Sequence, residues 1–326
     1  MNHDRQKHSF DRRSFLRRLA GTLLGIAGVA TWGFSFWDRQ GPSGIEQHAE
    51  TGGLPDFSVP DQADVLAVAH GQDRGRSVTA ALQALGGMAR FVRPGERVLL
   101  KVNAAFAAPA MLGATTHPDL VRHVIRLCRE AGAARVIVTD NPINDPASCF
   151  ELSGIGPAAR AEGVEVILPA RDRFETYSVP GARLIRRWPV LTAPLRRVDK
   201  VIGLAPVKNH LRSGASLTLK NWYGLLGGRR NIFHQQVHTI IAELGMLIKP
   251  TLVILDGTMS MMHNGPTGGS MDDLKPTHTL IAGTDPVAVD TLGAKLLGKT
   301  LEDLPFLRMA ERAGAGTTDY EKLMVR

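Results

Sequence analysis

Short apolar runs alternate with helix-like segments along most of the chain. Seven of these runs are rich in β-branched residues and apolar at nearly every position, which is typical of strands covered on both faces. They predict strands at residues 64–69, 97–102, 135–139, 164–168, 200–205, 251–255 and 278–282. Because helical patterns lie between most of them, the sequence predicts an α/β fold with a mainly parallel sheet and helices on both faces.

The helical pattern is clearest over residues 118–131, where five apolar residues share one helix face. These residues are Leu120, Val121, Val124, Ile125 and Cys128. Thr116, with Asp119 three residues later, predicts the N-terminal cap of this helix. Further helices are predicted at 77–88, 233–248 and 287–297. Residues 171–192 instead alternate polar and apolar positions, which predicts a small antiparallel excursion.

The N-terminal segment has the layout of an export signal. Arg12-Arg13, followed by Ser-Phe-Leu, resembles the twin-arginine (Tat) motif, and the 19 residues at 19–37 carry no charge. The basic residues before this apolar stretch place the N-terminus in the cytoplasm and the body of the protein outside. We therefore expect residues 1–37 to engage the Tat translocase, and the protein to be periplasmic or anchored to the outer face of the cytoplasmic membrane.

Two fates of this segment stay open. The apolar stretch is close to the length that spans a bilayer, and no clear cleavage site follows it, so a cleaved signal and a retained membrane tether through 19–37 are both consistent with the sequence. Residues 38–60 are rich in glycine and proline and predict a linker. The remaining residues, 61–326, are expected to form a single α/β domain.

The net charge of +8 is concentrated at the N-terminus. Residues 1–40 carry seven basic and three acidic side chains, so half of the excess lies in the first eighth of the chain. The rest is nearly balanced and has no basic run interleaved with aromatics, which argues against nucleic-acid binding. With two cysteines, the chain is not expected to hold an iron–sulfur cluster on its own thiols.

Polar residues follow five of the predicted strands. They are Lys101, Asn103, Asp140, Asn141, Lys208, His210, Asp256 and Asp285. Ligands of open parallel sheets bind beyond the carboxyl ends of the strands, so these side chains are expected to share one cleft. The chain has 29 arginines but 10 lysines, and yet Lys101, Lys208 and Lys220 all lie at or near strand ends. A compact amine can shift its pKa, act as a base or form an imine, whereas a guanidinium cannot.

Two glycine-rich loops extend the predicted site. Residues 220–230 place glycines beside Arg229 and Arg230, a pattern that favours a backbone-amide nest for an anion. Residues 259–269 contain methionines and His263, and such a loop after a strand is suited to closing over a pocket. We expect His263 to be a ligand or an acid–base group there.

Two nucleotide-binding patterns are rejected. Residues 293–300 match the phosphate-binding loop, but the match overlaps the end of a predicted helix, where Gly298 is better explained as the terminating glycine. Residues 154–159 match a loose dinucleotide-binding fingerprint without following a strand.

A zinc-peptidase pattern is rejected as well. His234 and His238 are four residues apart, but Gln235 stands where the catalytic glutamate is required. A metal-binding pair of histidines stays open.

Five segments, in order, resemble the domain-of-unknown-function 362 proteins. They are LLKVN (99–103), GATTHPDLVRHVIRLCREAGA (113–133), APVKNHLRSGASLTLKNWYGLLG (205–227), PTLVILDGTMSMMHNGPTGG (250–269) and IAGTDPVAVDTLGAKLLG (281–298). The resemblance covers about residues 64–310 and implies a single domain of this type. It marks functional positions without assigning roles to them: Lys101, Asn103, Thr116, His117, Lys208, His210, Lys220, Asn221, Asp256 and Asp285. Some members carry ferredoxin-like cysteine clusters, which this chain lacks.

The converging polar groups predict an exported enzyme that acts on a small anionic substrate. We assign Lys208 and Lys220 to anion binding or amine chemistry, and His210 to acid–base work or metal ligation. Asp256 is assigned to metal or proton handling. The predicted binding residues are Lys101, Asn103, Thr116, His117, Asn221, Arg229, His263 and Asp285.

The sequence leaves two other functions open. One is a non-catalytic periplasmic binding or cofactor-accessory protein for an exported redox enzyme, whose cleft would look the same. The other is a structural, membrane-tethered protein, in which the polar strand ends would be scattered. The sequence does not identify a cofactor, whether metal or organic, a substrate or an oligomeric state.

Overall fold

The structure is a computed structural model that describes residues 54–59 and 64–325, with a few helical positions between 13 and 25. Its strands are β1 (Leu66–His70), β2 (Arg97–Lys101), β3 (Arg135–Thr139), β4 (Glu165–Ile167), β5 (Phe174–Tyr177), β6 (Trp188–Leu191), β7 (Lys200–His210), β8 (Gly214–Ser216), β9 (Leu252–Met261) and β10 (Leu274–Gly283). Eight of them form a central sheet with the order β1-β10-β9-β7-β2-β3-β4, and β8 pairs with β7.

The sheet is parallel across β4, β3, β2, β7 and β9. It becomes antiparallel where β10 joins β9 and where β1 joins β10. β5 and β6 form a separate antiparallel pair. Both the mainly parallel sheet and the small antiparallel excursion are thus confirmed.

Helices cover both faces of this sheet, as the apolar strands require. They are α1 (Arg74–Ala84), α2 (Pro118–Glu130), α3 (Pro146–Leu152), α4 (Ile155–Ala161), α5 (Thr218–Asn221), α6 (Val237–Leu247), α7 (Pro286–Leu296) and α8 (Pro305–Arg312). Side chains alternate along β2: Val98 and Leu100 join the core that contains α1 and α2, whereas Leu99 joins the core that contains α6 and α7. Burial on both faces explains why alternate positions are not polar.

Two strands are longer than the apolar runs that predicted them. β7 continues from Ala205 to His210, and β9 continues from Leu255 to Met261. The strand ends were misplaced because polar residues continue the hydrogen-bonded ladder, which for Lys208–His210 is completed by β8. Lys208, His210 and Asp256 therefore lie within strands and not in the loops after them.

The direction of β10 also differs from that of the parallel strands. β10 is antiparallel to β9, so that Gly283 at its end pairs with Val253 near the start of β9. Asp285, two residues further along the chain, therefore lies at the amino edge of the parallel strands. The expectation that all the polar strand ends share one edge was wrong for this strand.

The predicted linker at 38–60 is described in part. Phe57 is buried, its backbone N–H donates to Lys249 O at 3.1 Å, and its carbonyl accepts from Thr251 Oγ1 at 2.6 Å. The described positions 54–59 thus pack against the α/β domain. Most of the twin-arginine segment and of the apolar stretch 19–37 lies outside the described residues. Among the residues that are described, none belongs to a helix long and apolar enough to cross a membrane.

The local structure at the two rejected nucleotide-binding motifs is not that of a phosphate-binding loop. Gly298, with a left-handed φ of 64°, lies just beyond the end of α7. Gly154 follows helix α3 with a φ of 77° and begins α4. Neither glycine stands between a strand and the helix after it, which is the arrangement that phosphate binding would need.

Candidate functional site

A cavity of about 780 Å³ lies beyond the carboxyl ends of β2 and β3 and along the extended part of β7. Its size is that of a pocket for a small organic ligand. The polar side chains that line it are Asn103, Asp140, Asn141, Arg171, Lys208, His210, Ser216, Lys220, Asn221, Tyr223, Arg230, Asn231 and His234. Apolar lining comes mainly from Phe106, Pro142, Ile143, Pro146, Pro169, Phe174 and Pro266.

Lys101 and Asp140 form a buried ion pair in the wall of the cavity, which Asp140 lines and Lys101 does not. Lys101 Nζ lies 2.7 Å from Asp140 Oδ1, and the side chains are 0% and 3% exposed. The ammonium also donates to the carbonyl oxygens of Val102 at 2.7 Å and Asn221 at 2.9 Å. Asp140 Oδ2 accepts from the backbone N–H of Ala104 at 2.7 Å. Its neighbours hold the pair firmly, so Lys101 supports the wall and does not itself line the cavity.

Gly224 allows this pair to sit directly beneath the loop at 220–230. A Cβ at this position would lie 1.8 Å from Asp140 Oδ1 and 2.7 Å from Lys101 Nζ. Only a residue without a side chain fits such a close approach of backbone to a buried charge.

Lys208 is a buried cation whose hydrogen-bond partners are uncharged. Its Nζ donates to the carbonyl of Ala114 at 2.6 Å and to Asn103 Oδ1 at 3.3 Å, and it lies 5.3 Å from the centre of the Phe106 ring. Burial, with the nearby ammonium of Lys220, lowers the pKa of Lys208 to about 7. This amine therefore gains and loses its proton near neutral pH.

His210 lies two residues after Lys208 on the same side of β7 and is held in one tautomer. Its Nδ1 accepts from the backbone N–H groups of Arg212 at 3.2 Å and Ser213 at 3.3 Å. Because Nδ1 accepts, the proton of the neutral ring is on Nε2. Burial and the ammonium of Lys220 lower the pKa of His210 to about 2. The ring stacks on His234, with centroids 5.8 Å apart.

Lys220 faces the cavity from α5. Its Nζ lies 5.1 Å from the centre of the Tyr223 ring. Within the part of the chain that the structure describes, no carboxylate pairs with it and no acceptor takes a hydrogen bond from it. Burial, with the guanidinium of Arg230, lowers the pKa of Lys220 to about 8.

α5 has only four residues and is held from below by Asp290 of α7. Asp290 Oδ1 accepts from Thr218 N at 2.8 Å and from Thr218 Oγ1 at 2.5 Å, and Oδ2 accepts from Leu219 N at 2.9 Å. The carboxylate thus satisfies the free N–H groups at the start of the helix. Asp290 therefore positions both Lys220 and Asn221, the next residues along the chain.

Arg230 fixes the loop at 220–230 against the segment that follows β3. Its guanidinium donates to four carbonyl oxygens, those of Tyr223 at 2.9 Å, Leu226 at 3.0 Å, Asn141 at 2.5 Å and Pro142 at 2.9 Å. These acceptors are neutral, so the positive charge of Arg230 remains available to an anion in the cavity.

The structure brings together six of the predicted residues. Lys208, His210, Lys220, Asn103 and Asn221 line the cavity, and Lys101 lies in its wall. Asn221 connects wall and cavity, since its Nδ2 donates to the carbonyls of Lys101 at 3.2 Å and Leu204 at 3.1 Å.

Asp256 and Asp285 do not line this cavity. Asp256 accepts from Arg74 Nε at 2.7 Å and from Thr258 N at 2.9 Å, in the middle of β9. Asp285 caps α7 by accepting from Val287 N at 2.8 Å and Ala288 N at 3.0 Å. It borders a second cavity, of about 480 Å³, at the amino edge of the parallel strands.

Thr116 and His117 also lie outside the cavity lining. Thr116 Oγ1 accepts from Asn103 N at 2.8 Å and donates to Leu204 O at 2.9 Å, so it links the segment after β2 to β7. The cap of α2 is His117 and not Thr116, because His117 Nδ1 accepts from Asp119 N at 3.2 Å. The predicted Thr116 cap was therefore one residue early.

Arg229 and His263 do not line the cavity either. Of the two arginines at the end of the loop at 220–230, Arg230 lines the cavity, and the loop at 259–269 contributes Pro266 to the lining. His263 is exposed and its backbone N–H donates to Asp273 O at 3.4 Å. The predicted roles of these two residues stay predictions.

From the sequence, Asp140 and Asn141 were expected in the cleft and Arg230 in an anion-binding loop, but no role was given to them. The polar lining residues that the sequence did not indicate are Arg171, Ser216, Tyr223 and Asn231. Asp140 was visible as the residue after a strand, and Arg230 as one of two arginines beside glycines. Nothing in the sequence pattern separated His234 from a polar helix residue. No set of three or more histidine, cysteine, aspartate or glutamate side chains in the described ranges is arranged to hold a metal ion.

Comparisons with known proteins identify a family and individual proteins to which the chain is similar. The family model described as "Domain of unknown function (DUF362)" matches residues 98–295. A thylakoid-associated protein of Synechocystis sp. is 28% identical over 253 residues, which cover 75% of this chain and 76% of that protein. A crystal structure of a Thermotoga maritima protein aligns with a TM-score of 0.39 and 11% identity, over 71% of this chain and 60% of that one.

Proposed function

The chain belongs to the domain-of-unknown-function 362 family, and with that premise we propose that it binds a small organic anion in this cavity and transforms it. Both lysines of the cavity fall within the matched residues. The observation that carries the proposal is a charge imbalance. Arg171, Lys208, Lys220 and Arg230 line the cavity, and the one carboxylate among the described lining residues, Asp140, is already paired with Lys101.

Such an arrangement favours an anion for electrostatic reasons. Desolvated cations without carboxylate partners create a positive potential in a cleft with low-dielectric walls, and an anion restores neutrality. Lys208 and Lys220 supply compact ammonium groups for it. The apolar lining around Phe106 and Phe174 suits the carbon skeleton of an organic anion better than it suits a free inorganic ion.

His210 supplies a hydrogen-bond donor of fixed direction. Since Nδ1 is occupied by two backbone N–H groups, the Nε2–H is free to polarise an oxygen of the ligand. A neutral imidazole stabilises developing negative charge without the cost of burying another cation beside Lys220.

Binding is tested by calorimetric titration of the full chain with acetate, malonate and inorganic phosphate. We expect Lys220→Met to weaken binding of the preferred anion by about 10-fold to 100-fold, the effect of removing one charged hydrogen-bonding partner. Lys249→Met is the matched control, because Lys249 is an exposed lysine that pairs with Asp56 and borders the second cavity. Equal losses in the two variants would place anion binding elsewhere.

A test for turnover distinguishes an enzyme from the non-catalytic binding protein that the sequence also left open. A non-catalytic binding or cofactor-accessory protein would bind its anion tightly and release it unchanged. Protein purified from the periplasm is analysed by native mass spectrometry, and candidate anions are then followed for product formation. Product that disappears in a His210→Phe variant supports the enzyme, whereas retained binding without product supports the alternative.

We also propose that the protein is exported by the twin-arginine route and acts outside the cytoplasm. Arg12-Arg13 and the uncharged segment 19–37 support this, and the Synechocystis relative is described as thylakoid-associated. Replacing both Arg12 and Arg13 by lysine should retain the protein in the cytoplasm, as measured by cell fractionation. Arg17→Lys is the control that leaves the pair intact, and export of the doubly substituted protein would contradict the proposal.

A further inference from the structure

We propose that Lys220 forms an imine with the carbonyl carbon of a bound 2-oxo carboxylate. The inference rests on the proposed function and narrows its substrate class: the ligand would carry both the anionic group that the cavity cations attract and a carbonyl group beside it.

The three lysines around the cavity differ in how their amines are engaged. Lys101 is held by Asp140 and by backbone carbonyls, and Lys208 donates to Ala114 O and Asn103 Oδ1. Lys220 contacts the ring of Tyr223 and, among the described residues, has neither an acceptor nor a carboxylate. A nucleophilic amine needs an accessible lone pair, and Lys220 is the lysine whose nitrogen faces the ligand space without competing partners.

Neighbouring positive charge keeps a share of this amine neutral. Burial and Arg230 lower the pKa of Lys220 to about 8, so the free base is populated near neutral pH. A desolvated lysine beside another cation is a recognised way to activate this nucleophile. Arg230, together with the protonated fraction of Lys208, then remains to attract the carboxylate group, so the nucleophile and the anion site do not compete for one side chain.

The step balances without an oxidant or a reductant. The lone pair of Lys220 Nζ attacks the carbonyl carbon, and the electron pair of the C=O bond moves to oxygen to give a carbinolamine. Both hydrogens of the attacking amine are finally transferred to that oxygen, which leaves as water when the C=N bond forms. His210 Nε2–H donates a hydrogen bond to the oxygen as its negative charge develops.

Reductive trapping tests the inference. The full-length protein is incubated with pyruvate and sodium cyanoborohydride, and the modified lysine is located by peptide mass spectrometry. We expect a reduced adduct at Lys220, formed on the order of 100-fold faster than at ordinary surface lysines, because more of its amine is unprotonated. Lys249→Met should keep this adduct, whereas Lys220→Arg and Lys220→Met should both lose it while melting as the unsubstituted protein does.

Lactate separates a failure of this inference from a failure of the proposed function, since it keeps the carboxylate and lacks the carbonyl group. Lactate binding without a pyruvate adduct at Lys220 overturns imine formation and leaves anion binding in place. An adduct at Lys208, or equal labelling of surface lysines, overturns the assignment of Lys220. If neither lactate nor pyruvate binds and no adduct forms, both proposals fail for this class of ligand.

Discussion

The wall of the cavity and its interior both contain lysines, but they differ in how these lysines are paired. In the wall, Lys101 and Asp140 are fully buried and neutralise each other. In the cavity, Lys208 donates to two neutral acceptors and Lys220 contacts the ring of Tyr223, and neither forms an ion pair with a described carboxylate. Since an unpaired buried charge costs free energy, a protein retains one chiefly where something else will pair with it. Pairing, more than residue type, therefore separates the lysine that stabilises the fold from those proposed to bind a ligand.

The largest loss of stability should come from breaking the ion pair between Lys101 and Asp140. Lys101→Met leaves Asp140 buried without its counter-charge, and should lower the free energy of unfolding by about 3–5 kcal/mol. Chemical denaturation measures this loss. In Lys101→Met/Asp140→Asn, both charges are gone, so part of the loss should be recovered. If the single variant is as stable as the exposed control Lys249→Met, the buried pair does not stabilise the fold.

A smaller loss of stability should follow from adding a methyl group at Gly224, which lies directly over the ion pair. Gly224→Ala forces a Cβ against Asp140 Oδ1, so the loop or the ion pair must shift. We expect a loss of about 1–3 kcal/mol in the free energy of unfolding, together with weaker anion binding. Gly269→Ala is the matched control, because a Cβ there meets no atom within 4 Å. Thermal melting and calorimetric titration of both variants provide the comparison.

Raising the pH should increase the free energy of unfolding and weaken anion binding, both through deprotonation of the cavity lysines. Their pKa values in the folded protein, about 7 for Lys208 and about 8 for Lys220, are lower than in the unfolded chain, about 10.4. Between about pH 8 and pH 9 the unfolded chain therefore binds more protons, so each lysine makes stability rise with pH, by at most about 1.4 kcal/mol per pH unit. Anion affinity should fall over the same range, because the neutral amines no longer attract the ligand.

Denaturation at both pH values, with and without Lys208→Met, measures the first effect. The variant should show a smaller rise in stability with pH than the unsubstituted protein. The thiols of Cys128 and Cys149 oppose this trend in the same pH range, because burial raises their pKa values to about 12 and about 11 while those of the unfolded chain stay at about 8.5, so the difference between the variant and the unsubstituted protein isolates Lys208. A pH slope that Lys208→Met leaves unchanged would show that another group causes it.

The smallest effect on stability is expected in the cavity itself. Lys220→Met removes a cation that no described carboxylate pairs with, so the free energy of unfolding should stay within about 1 kcal/mol of the unsubstituted value or rise. Chemical denaturation under the conditions used for Lys101→Met tests it. A loss as large as that of Lys101→Met would mean that Lys220 is structural, and the contrast between wall and cavity would not hold.

Much of the fold could be predicted because burial on both faces marks a strand in the sequence. The runs at 97–102 and 135–139 gave β2 and β3 almost to the residue. The pattern did not show how far a strand continues once its residues become polar, as in β7. Nor did it show direction: an apolar run is the same for a parallel strand and for an antiparallel one, so Asp285 was placed at the wrong edge.

The candidate site was predictable to a similar degree and for related reasons. The position of lysines at or near strand ends indicated Lys101, Lys208 and Lys220. The sequence could not show that Lys101 has a buried carboxylate partner whereas Lys220 has none among the described residues. Pairing depends on contacts between distant segments, such as Asp140 with Lys101 across neighbouring strands. Asp290 was missed for the same reason, since it acts on Lys220 through the backbone of residues 72 positions away in the chain.

The extension of β7 constrains how this protein can vary. Lys208 and His210 are carried on a strand whose neighbour β8 fixes its register, so one inserted or deleted residue between Ala205 and Lys208 would turn both side chains to the opposite face at once. The turn between β9 and β10 packs on the same stretch, since Leu211 N donates to Gly265 O at 3.3 Å. The amine and the imidazole would therefore be gained or lost in evolution as one unit.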